Sequence, residues 1–149
     1  MSRPDTRPHV VFLCRSNRGK SRMAGAIGIH AHDGWVVRTA GTHPAAPDVG
    51  PNAESVAALA DVGVPMPAQA PRGLDPHELA GADRVVLLGT PSDDQWDALA
   101  AAGLDRDAVT AWETVEPSLD GIEGTERMAM IRDDITARVA RLHAELVIG

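Results

Sequence analysis

Four short apolar runs recur along the chain and are separated by longer stretches with helical spacing. The runs cover residues 10–13, 35–37, 84–88 and 109–112. They are rich in β-branched or aromatic side chains, which is typical of strands buried on both faces of a parallel sheet. The pattern therefore predicts four parallel strands.

Helical spacing is clearest near the C-terminus, where apolar residues recur every three or four positions. This stripe consists of Met128, Ile131, Ile135, Val139, Leu142 and Leu146. Weaker helical patterns cover residues 21–30 and 93–102, and a short helix is predicted to begin at Asp75 and Pro76. Residues 52–62 fit an amphipathic helix. Its apolar face is predicted to consist of Val56, Leu59, Ala60 and Val62.

Strands that alternate with helices predict an α/β fold of three layers, in which a four-stranded parallel sheet carries helices on both faces. No repeat or interdomain linker interrupts the pattern, so residues 1–149 are predicted to form a single domain. In such sheets, ligands bind beyond the carboxyl ends of the strands. The segments that follow the four strands, at Cys14, 39–42, Gly89 and 113–117, are therefore expected to share one rim.

The formal net charge of −7 conceals a basic N-terminal segment. Residues 1–22 carry six basic side chains and one acidic side chain, whereas the rest of the chain carries eight basic and twenty acidic ones. This distribution argues against nucleic acid or an anionic membrane as a partner and favours a small anion. The sequence shows no membrane-spanning or signal-peptide pattern, and its single cysteine excludes an internal disulfide. We therefore expect a cytoplasmic protein.

Cys14 and Lys20 are the only cysteine and the only lysine of the chain, and they bracket the loop that follows the first strand. A loop that leads into a helix N-terminus presents N–H groups and a favourable dipole to an anion, and the same features stabilise a thiolate. Ser21 can donate a hydrogen bond to that thiolate and start the helix, and Gly19 would relieve crowding against an oxyanion. A lone cysteine is more often a buried apolar side chain. The surrounding strand, basic cluster and helix favour a nucleophile instead.

Residues 10–24, VVFLCRSNRGKSRMA, resemble the oxyanion loop of low-molecular-weight protein tyrosine phosphatases and of the arsenate reductases that share their fold. Residues 39–42, TAGT, match the second-strand motif of that family, and residues 112–135 are similar to those of its actinobacterial arsenate–mycothiol transferases. The resemblance implies that Cys14 is the nucleophile, with Lys20, Ser21 and Glu116 as further catalytic residues. It also implies an oxyanion-binding loop made of Arg15, Ser16, Asn17, Arg18, Gly19 and Lys20.

Two departures from the broader family pattern bear on the reaction. Lys20 occupies the position of an arginine, and lysine cannot form the planar bidentate fork that holds a phosphoryl group. Glu116 and Pro117 stand where the phosphatases have an Asp-Pro pair that supplies the proton for the leaving group. The chain also has no tyrosine, and residues 43–51 contain no Phe, Tyr or Trp to stack on a phenyl ring.

A redox reaction on one cysteine needs a second thiol from outside the chain, since no intramolecular disulfide can form. These features predict an arsenate reductase of the thiol-transferase type. By resemblance, mycothiol is the co-substrate, and a separate glutaredoxin-like protein reduces the arseno-mycothiol adduct to arsenite. The alternatives are a small phosphatase acting on phosphotyrosine or small phosphoesters, and a non-catalytic oxyanion-binding module.

Other polar residues are given less weight. His30 and His32 lie two positions apart and do not share a helical face, so no metal or bound cofactor is expected. Asp93 and Asp94 are interpreted as solvated turn and cap residues. Arg72, in a proline-bounded loop, is expected at the surface.

Overall fold

The computed structural model describes residues 6–148, without the side chain of residue 148. Its four strands form one parallel sheet in the order β2-β1-β3-β4, which confirms the predicted fold class. The strands are β1 (His9–Cys14), β2 (Val36–Gly41), β3 (Arg84–Leu88) and β4 (Val109–Trp112).

Five α-helices connect and follow the strands in the described part of the chain. They are α1 (Lys20–Ala31), α2 (Ala53–Ala60), α3 (Pro76–Ala80), α4 (Asp93–Ala101) and α5 (Gly124–His143). Short 3₁₀ turns precede β4 (Arg106–Ala108) and follow it (Pro117–Asp120), and a π-helical turn (Ala144–Ile148) extends α5. No helix in residues 6–148 is long and apolar enough to span a membrane.

Alternate residues of the central strands enter two separate apolar cores, because successive side chains of a strand point to opposite faces. Val10 and Phe12 pack with α1, α2 and α5, and the predicted stripe of α5 is buried against this face. Val11 and Leu13 pack with Leu79 of α3 and Leu99 of α4 on the other face. The sheet is thus covered on both sides, as the continuous apolar runs predict.

The order in which strands are added to the sheet reverses at β1, because β2 lies on one side of β1 and β3 and β4 lie on the other. The helix after β1 leads outward to β2 on one side, and the later helices lead to β3 and β4 on the other. Cys14, the last residue of β1, is paired in register with Gly41, the last residue of β2. This switch point is where open α/β sheets bind their ligands.

The predicted apolar face of α2 is wrong in part. Leu59 is buried, but Val56 is 36% and Val62 52% exposed, and Ala60 is also exposed. The buried face instead runs through Ser55, Ala58 and Leu59. The helix ends at Ala60, and the Ser55 hydroxyl bonds to the Asn52 side chain, which caps the helix. This local hydrogen bond satisfies the hydroxyl and lets a serine occupy a buried position that the sequence pattern did not include in the apolar face.

Candidate active site

The loop between β1 and α1 directs its carbonyl oxygens toward the segment that follows β2. The carbonyls of residues 14, 15, 16 and 18 accept hydrogen bonds of 2.8–3.1 Å from the N–H groups of Thr42, His43, Ala45 and Asn52. In a trans peptide unit the carbonyl and the next N–H point in opposite directions. The N–H groups of residues 15, 16, 17 and 19 therefore face the concave side of the loop.

Within residues 6–148, the N–H groups of residues 15–20 have no hydrogen-bond acceptor. Unpaired N–H groups that converge ahead of a helix N-terminus form a cradle for an anion. The cradle comes directly before α1, which begins at Lys20 rather than at the predicted Ser21. Gly19 occupies the N-cap position, so no side chain caps the first turn of the helix.

Cys14 lies at the floor of this loop and is 8% exposed. Its sulfur is 3.0 Å from the hydroxyl of the fully buried Ser21, which is the contact that the sequence predicts for these two residues. A hydroxyl in this position can donate a hydrogen bond to a thiolate. The geometry thus joins a nucleophile to a group that can stabilise its charge.

Asn17 holds the loop together from within. Its backbone is left-handed, with φ of 58°, a conformation that asparagine tolerates better than most residues. The buried side-chain amide donates to the hydroxyls of Ser21 at 3.0 Å and Thr39 at 3.1 Å, and its oxygen accepts from the N–H of Arg72 at 2.9 Å. Asn17 therefore fixes the position of the Ser21 hydroxyl relative to Cys14.

Gly41 provides the surface on which the loop rests. A Cβ atom at this position would lie 2.6 Å from the carbonyl oxygen of Arg15 and 2.9 Å from the nitrogen of Asn17. Such contacts are too close for any side chain, so the glycine of the TAGT motif is required by the packing of the loop. A Cβ at Gly19, in contrast, would make only ordinary contacts with Ser55 and Asn52, and the relief of crowding against a bound oxyanion stays a prediction.

Lys20 is half-buried at the start of α1, and no hydrogen bond or ion pair of its ammonium is found among the described residues. Burial lowers the pKa of Lys20, and the negative charges of Glu116 and Cys14 partly oppose that shift. An ammonium without a fixed partner beside an anion cradle is available to an incoming oxyanion.

The other cations of the loop turn away from its centre. Arg15 is exposed and forms a bidentate pair with Asp94 of α4, at 2.7 and 3.1 Å. Arg18 donates from Nε to the carbonyl of Gly50 at 2.9 Å. Both arginine side chains thus have partners outside the cradle. Asp94 is half exposed in the first turn of α4, as the sequence predicts, and in addition it is paired with Arg15. Arg15 and Ser92 hold the pKa of the Asp94 carboxyl well below its usual range.

Glu116 is held in its ionised form. Its two oxygens accept from Nε and a terminal nitrogen of Arg127 at 2.8 and 2.6 Å, and one of them also accepts from the Ser118 hydroxyl at 2.8 Å. The hydrogen bonds from Arg127 and then Ser118 lower the pKa of Glu116 to about 2. A carboxyl group in this state has no proton to donate at neutral pH. Of the predicted acid–base role, the geometry therefore disfavours the general acid.

Arg22 is a further residue of the site, and its role was not predicted from the sequence. It is 4% exposed and donates to the carbonyls of Asn17, Pro67 and Gln69. Burial lowers the pKa of the Arg22 guanidinium, and Cys14 is the charge that opposes the shift. Its place in a helical pattern rich in small residues gives no signal that this arginine is buried.

The two histidines weighed as metal ligands are separated in the structure. His30 is exposed, whereas His32 stacks on His143, with ring centroids 4.5 Å apart, beside Trp35. No group of three or more His, Cys, Asp or Glu side chains suited to a metal occurs within the described range 6–148.

The chain is thus a parallel α/β protein with its single cysteine at the switch point of the sheet, beside a loop of unpaired N–H groups. More narrowly, the chain belongs to the low molecular weight phosphotyrosine protein phosphatase family, whose model matches residues 9–147. This is a family of enzymes that includes phosphatases and has arsenate reductases among its structural neighbours.

Solved structures of similar fold include both kinds of enzyme. The tyrosine phosphatase AmsI of Erwinia amylovora is 10% identical, with a TM-score of 0.77 over 95% of this chain and 95% of that one. The low molecular weight protein tyrosine phosphatase of T. tengcongensis is 19% identical, with a TM-score of 0.71 over 93% and 99%. A thioredoxin-dependent arsenate reductase of Corynebacterium glutamicum is 23% identical, with a TM-score of 0.69 over 95% of this chain and 62% of that one. At these identities the likeness shows the fold.

Proposed function

We propose that the chain is an arsenate reductase of the thiol-transferase type, which forms an arseno-mycothiol adduct from arsenate and mycothiol. The observation that carries this proposal is an oxyanion cradle built around the only cysteine of the chain. Such a site can bind and activate arsenate. It cannot close an intramolecular disulfide, so the reducing thiol has to come from another molecule.

The first step forms a bond between the Cys14 sulfur and arsenic, while one arsenic–oxygen bond breaks and the oxygen leaves as water after protonation. The external thiol then bonds to arsenic through its own sulfur, and the Cys14–arsenic bond breaks to return the thiolate. Arsenic remains pentavalent in both steps. A thiol of a separate glutaredoxin-like protein next attacks the sulfur of the adduct, which yields a mixed disulfide and, with two electrons now on arsenic, arsenite.

The residues around Cys14 have distinct roles in this scheme. The N–H groups of the cradle and the Lys20 ammonium neutralise the oxyanion, and Ser21 stabilises the thiolate when it leaves arsenic. Asn17 positions Ser21. Glu116, as a carboxylate near Lys20, supplies negative charge that opposes the lowering of the Lys20 pKa by burial.

Two features favour arsenate transfer over phosphoester hydrolysis. Lys20 lacks the bidentate geometry that stabilises a transferring phosphoryl group. Glu116 is held ionised by Arg127 and has no proton for an alkoxide or phenolate leaving group. A dependence on reduced low-molecular-weight thiols also favours the cytoplasm as the site of action, because thiols are kept reduced there.

A phosphatase is the second candidate, because a cradle over Cys14 would equally hold a phosphoryl group, and the family match includes such enzymes. A side-by-side assay separates the two functions. NADPH oxidation is measured with arsenate, a redoxin system and either mycothiol, glutathione or thioredoxin, and hydrolysis of an aryl phosphate is measured with the same preparation.

Turnover with arsenate and mycothiol, lost in Cys14→Ser and kept in the exposed control Arg84→Gln, supports the proposal. Efficient aryl phosphate hydrolysis, with arsenate acting only as a competitive inhibitor, would identify a phosphatase. Tight anion binding with a Cys14 that resists alkylation would identify a non-catalytic binding module.

A further inference from the structure

A cavity lies beside the oxyanion loop, between α1, β2 and the segment that precedes α3. Its volume is about 120 Å³, well above what a single water molecule needs. Three arginines from three different parts of the chain line it, namely Arg22, Arg38 and Arg72. Ile29 and Gln69 are also in its wall.

The charge of this cavity is not balanced by the protein. None of its lining residues is acidic. Glu78 lies next to it and is 2.8 Å from Arg72 and 3.8 Å from Arg38, so one carboxylate is shared between two guanidinium groups. Arg22 has no carboxylate partner among the described residues, since its hydrogen bonds go to main-chain carbonyls.

The environment of Arg22 is the most unusual of the three, because an almost fully buried guanidinium group is normally paired with a carboxylate. Carbonyl oxygens satisfy its hydrogen bonds but bring no net negative charge. Burial accordingly lowers the pKa of this arginine. A small anion in the cavity would supply the missing charge, and guanidinium groups fit planar carboxylates and tetrahedral phosphates with paired hydrogen bonds.

We propose that the cavity lined by Arg22, Arg38 and Arg72 is a second anion-binding site, which takes one small oxyanion or the phosphate or carboxylate group of a small metabolite. It is separate from the cradle over Cys14, because the cavity lies on the side of α1 formed by Arg22, Gly25, Ala26 and Ile29. The proposal does not depend on the reaction that Cys14 performs.

Asn17 connects the two sites. Arg22 donates to its carbonyl at 3.5 Å, and the N–H of Arg72 donates to its side-chain oxygen at 2.9 Å. The amide of Asn17 in turn bonds to Ser21, which contacts Cys14. An anion held by Arg22 and Arg72 therefore acts on groups that position the oxyanion loop.

Titration with inorganic phosphate, followed by NMR of backbone amides, tests the site. We expect two groups of resonances to shift, one around Gly19 and Ser21 and one around Ile29 and Gln69. The side chain of Arg38 is 49% exposed, so Arg38→Gln should leave the fold intact. It should weaken the response of the second group at least about tenfold, the effect of losing one charge-assisted hydrogen bond. Arg84→Gln, which removes an exposed arginine of β3 outside this cavity, is the matched control.

Ile29→Glu provides a second variant that is independent of the arginines. Ile29 is 58% exposed, and a carboxylate there would compete with an anion at the wall of the cavity. Loss of the second response in both variants, with the loop response retained, supports the site. A titration in which Ile29 and Gln69 do not respond, or respond equally in wild type and in both variants, would overturn it. Parallel titration with acetate distinguishes a carboxylate site from one restricted to tetrahedral oxyanions.

Discussion

The side-chain amide of Asn17 donates a 3.0 Å hydrogen bond to the hydroxyl of Ser21, which itself lies 3.0 Å from the sulfur of Cys14. Because the amide occupies one lone pair of that hydroxyl, the hydroxyl hydrogen is free to point at sulfur. A buried chain of this kind fixes the direction of the hydrogen bond as well as its length.

Ser21→Ala removes the hydroxyl that stabilises the thiolate. We expect alkylation of Cys14 to slow and arsenate turnover to fall, each about tenfold, as for the loss of one hydrogen bond to a charged group. Thr136→Ala is the control, because its hydroxyl bonds only to a carbonyl on the exposed side of α5. An unchanged alkylation rate in Ser21→Ala would show that this hydroxyl does not act on the sulfur.

Gly41→Ala tests whether the loop needs the space above β2. The new methyl group would overlap the carbonyl of Arg15 and the nitrogen of Asn17, so the loop must shift. We expect a loss of about 1–3 kcal/mol in the free energy of unfolding, as for an overpacked core, together with loss of phosphate binding in the cradle. Gly50→Ala serves as the control, since a Cβ there meets no atom within 4 Å and its φ is not positive. Equal effects of the two substitutions would contradict the packing argument.

The residues of the cradle could be read from the sequence because they are local. Ser21 and Cys14 lie only seven positions apart and are joined by one strand end, one loop and one helix start. The partners of the charged residues could not be predicted in this way. Arg15 meets Asp94 across 79 positions, and Arg22 meets Gln69 across 47, so both contacts depend on how helices and loops pack. The sequence pattern therefore predicted the position of the candidate anion cradle but not which cations face it.

The pairing of Glu116 with Arg127 makes stability depend on acid pH. The pKa of Glu116 falls from 4.5 to about 2 on folding, so its stabilising contribution is complete above about pH 4.5 and is lost as the pH falls toward 2. Since this side chain is 34% exposed, we expect Glu116→Gln to cost no more than about 1 kcal/mol at pH 7.

Urea unfolding at several pH values measures this difference, which should shrink as the medium is acidified. Glu113→Gln changes an exposed glutamate on the preceding segment and should show no such trend. A difference between Glu116→Gln and wild type that stays constant down to pH 3 would contradict the assignment.

The stacked pair of His32 and His143 makes a second pH-dependent contribution, in a different range. Burial, and then the neighbouring His143, lower the pKa of His32 from its usual 6.5, so the folded state favours the neutral ring. Stability from this source is therefore present above pH 6.5 and is lost as the pH falls below it. We expect His32→Gln to reduce the dependence of the unfolding free energy on pH between about pH 7.5 and 5.5. His30→Gln, at an exposed position, should keep the pH dependence of the wild type. The same slope in His32→Gln and wild type would show that another group is responsible.

Lys20→Arg tests the residue that, by the family resemblance, stands in the position of an arginine. Arginine would restore a planar fork at the start of α1, which can bond two oxygens of a transferring phosphoryl group, whereas the lysine ammonium acts as a point charge. We expect the ratio of aryl phosphate hydrolysis to arsenate turnover to rise about tenfold or more, which corresponds to one additional charge-assisted hydrogen bond in the transition state. Lys20→Met removes the charge and should reduce both activities.

Comparison of kcat/KM for the two substrates in wild type and both variants measures the effect. If Lys20→Arg leaves the ratio unchanged while Lys20→Met abolishes both activities, the lysine serves only as a positive charge, and substrate choice has to be determined elsewhere in the site.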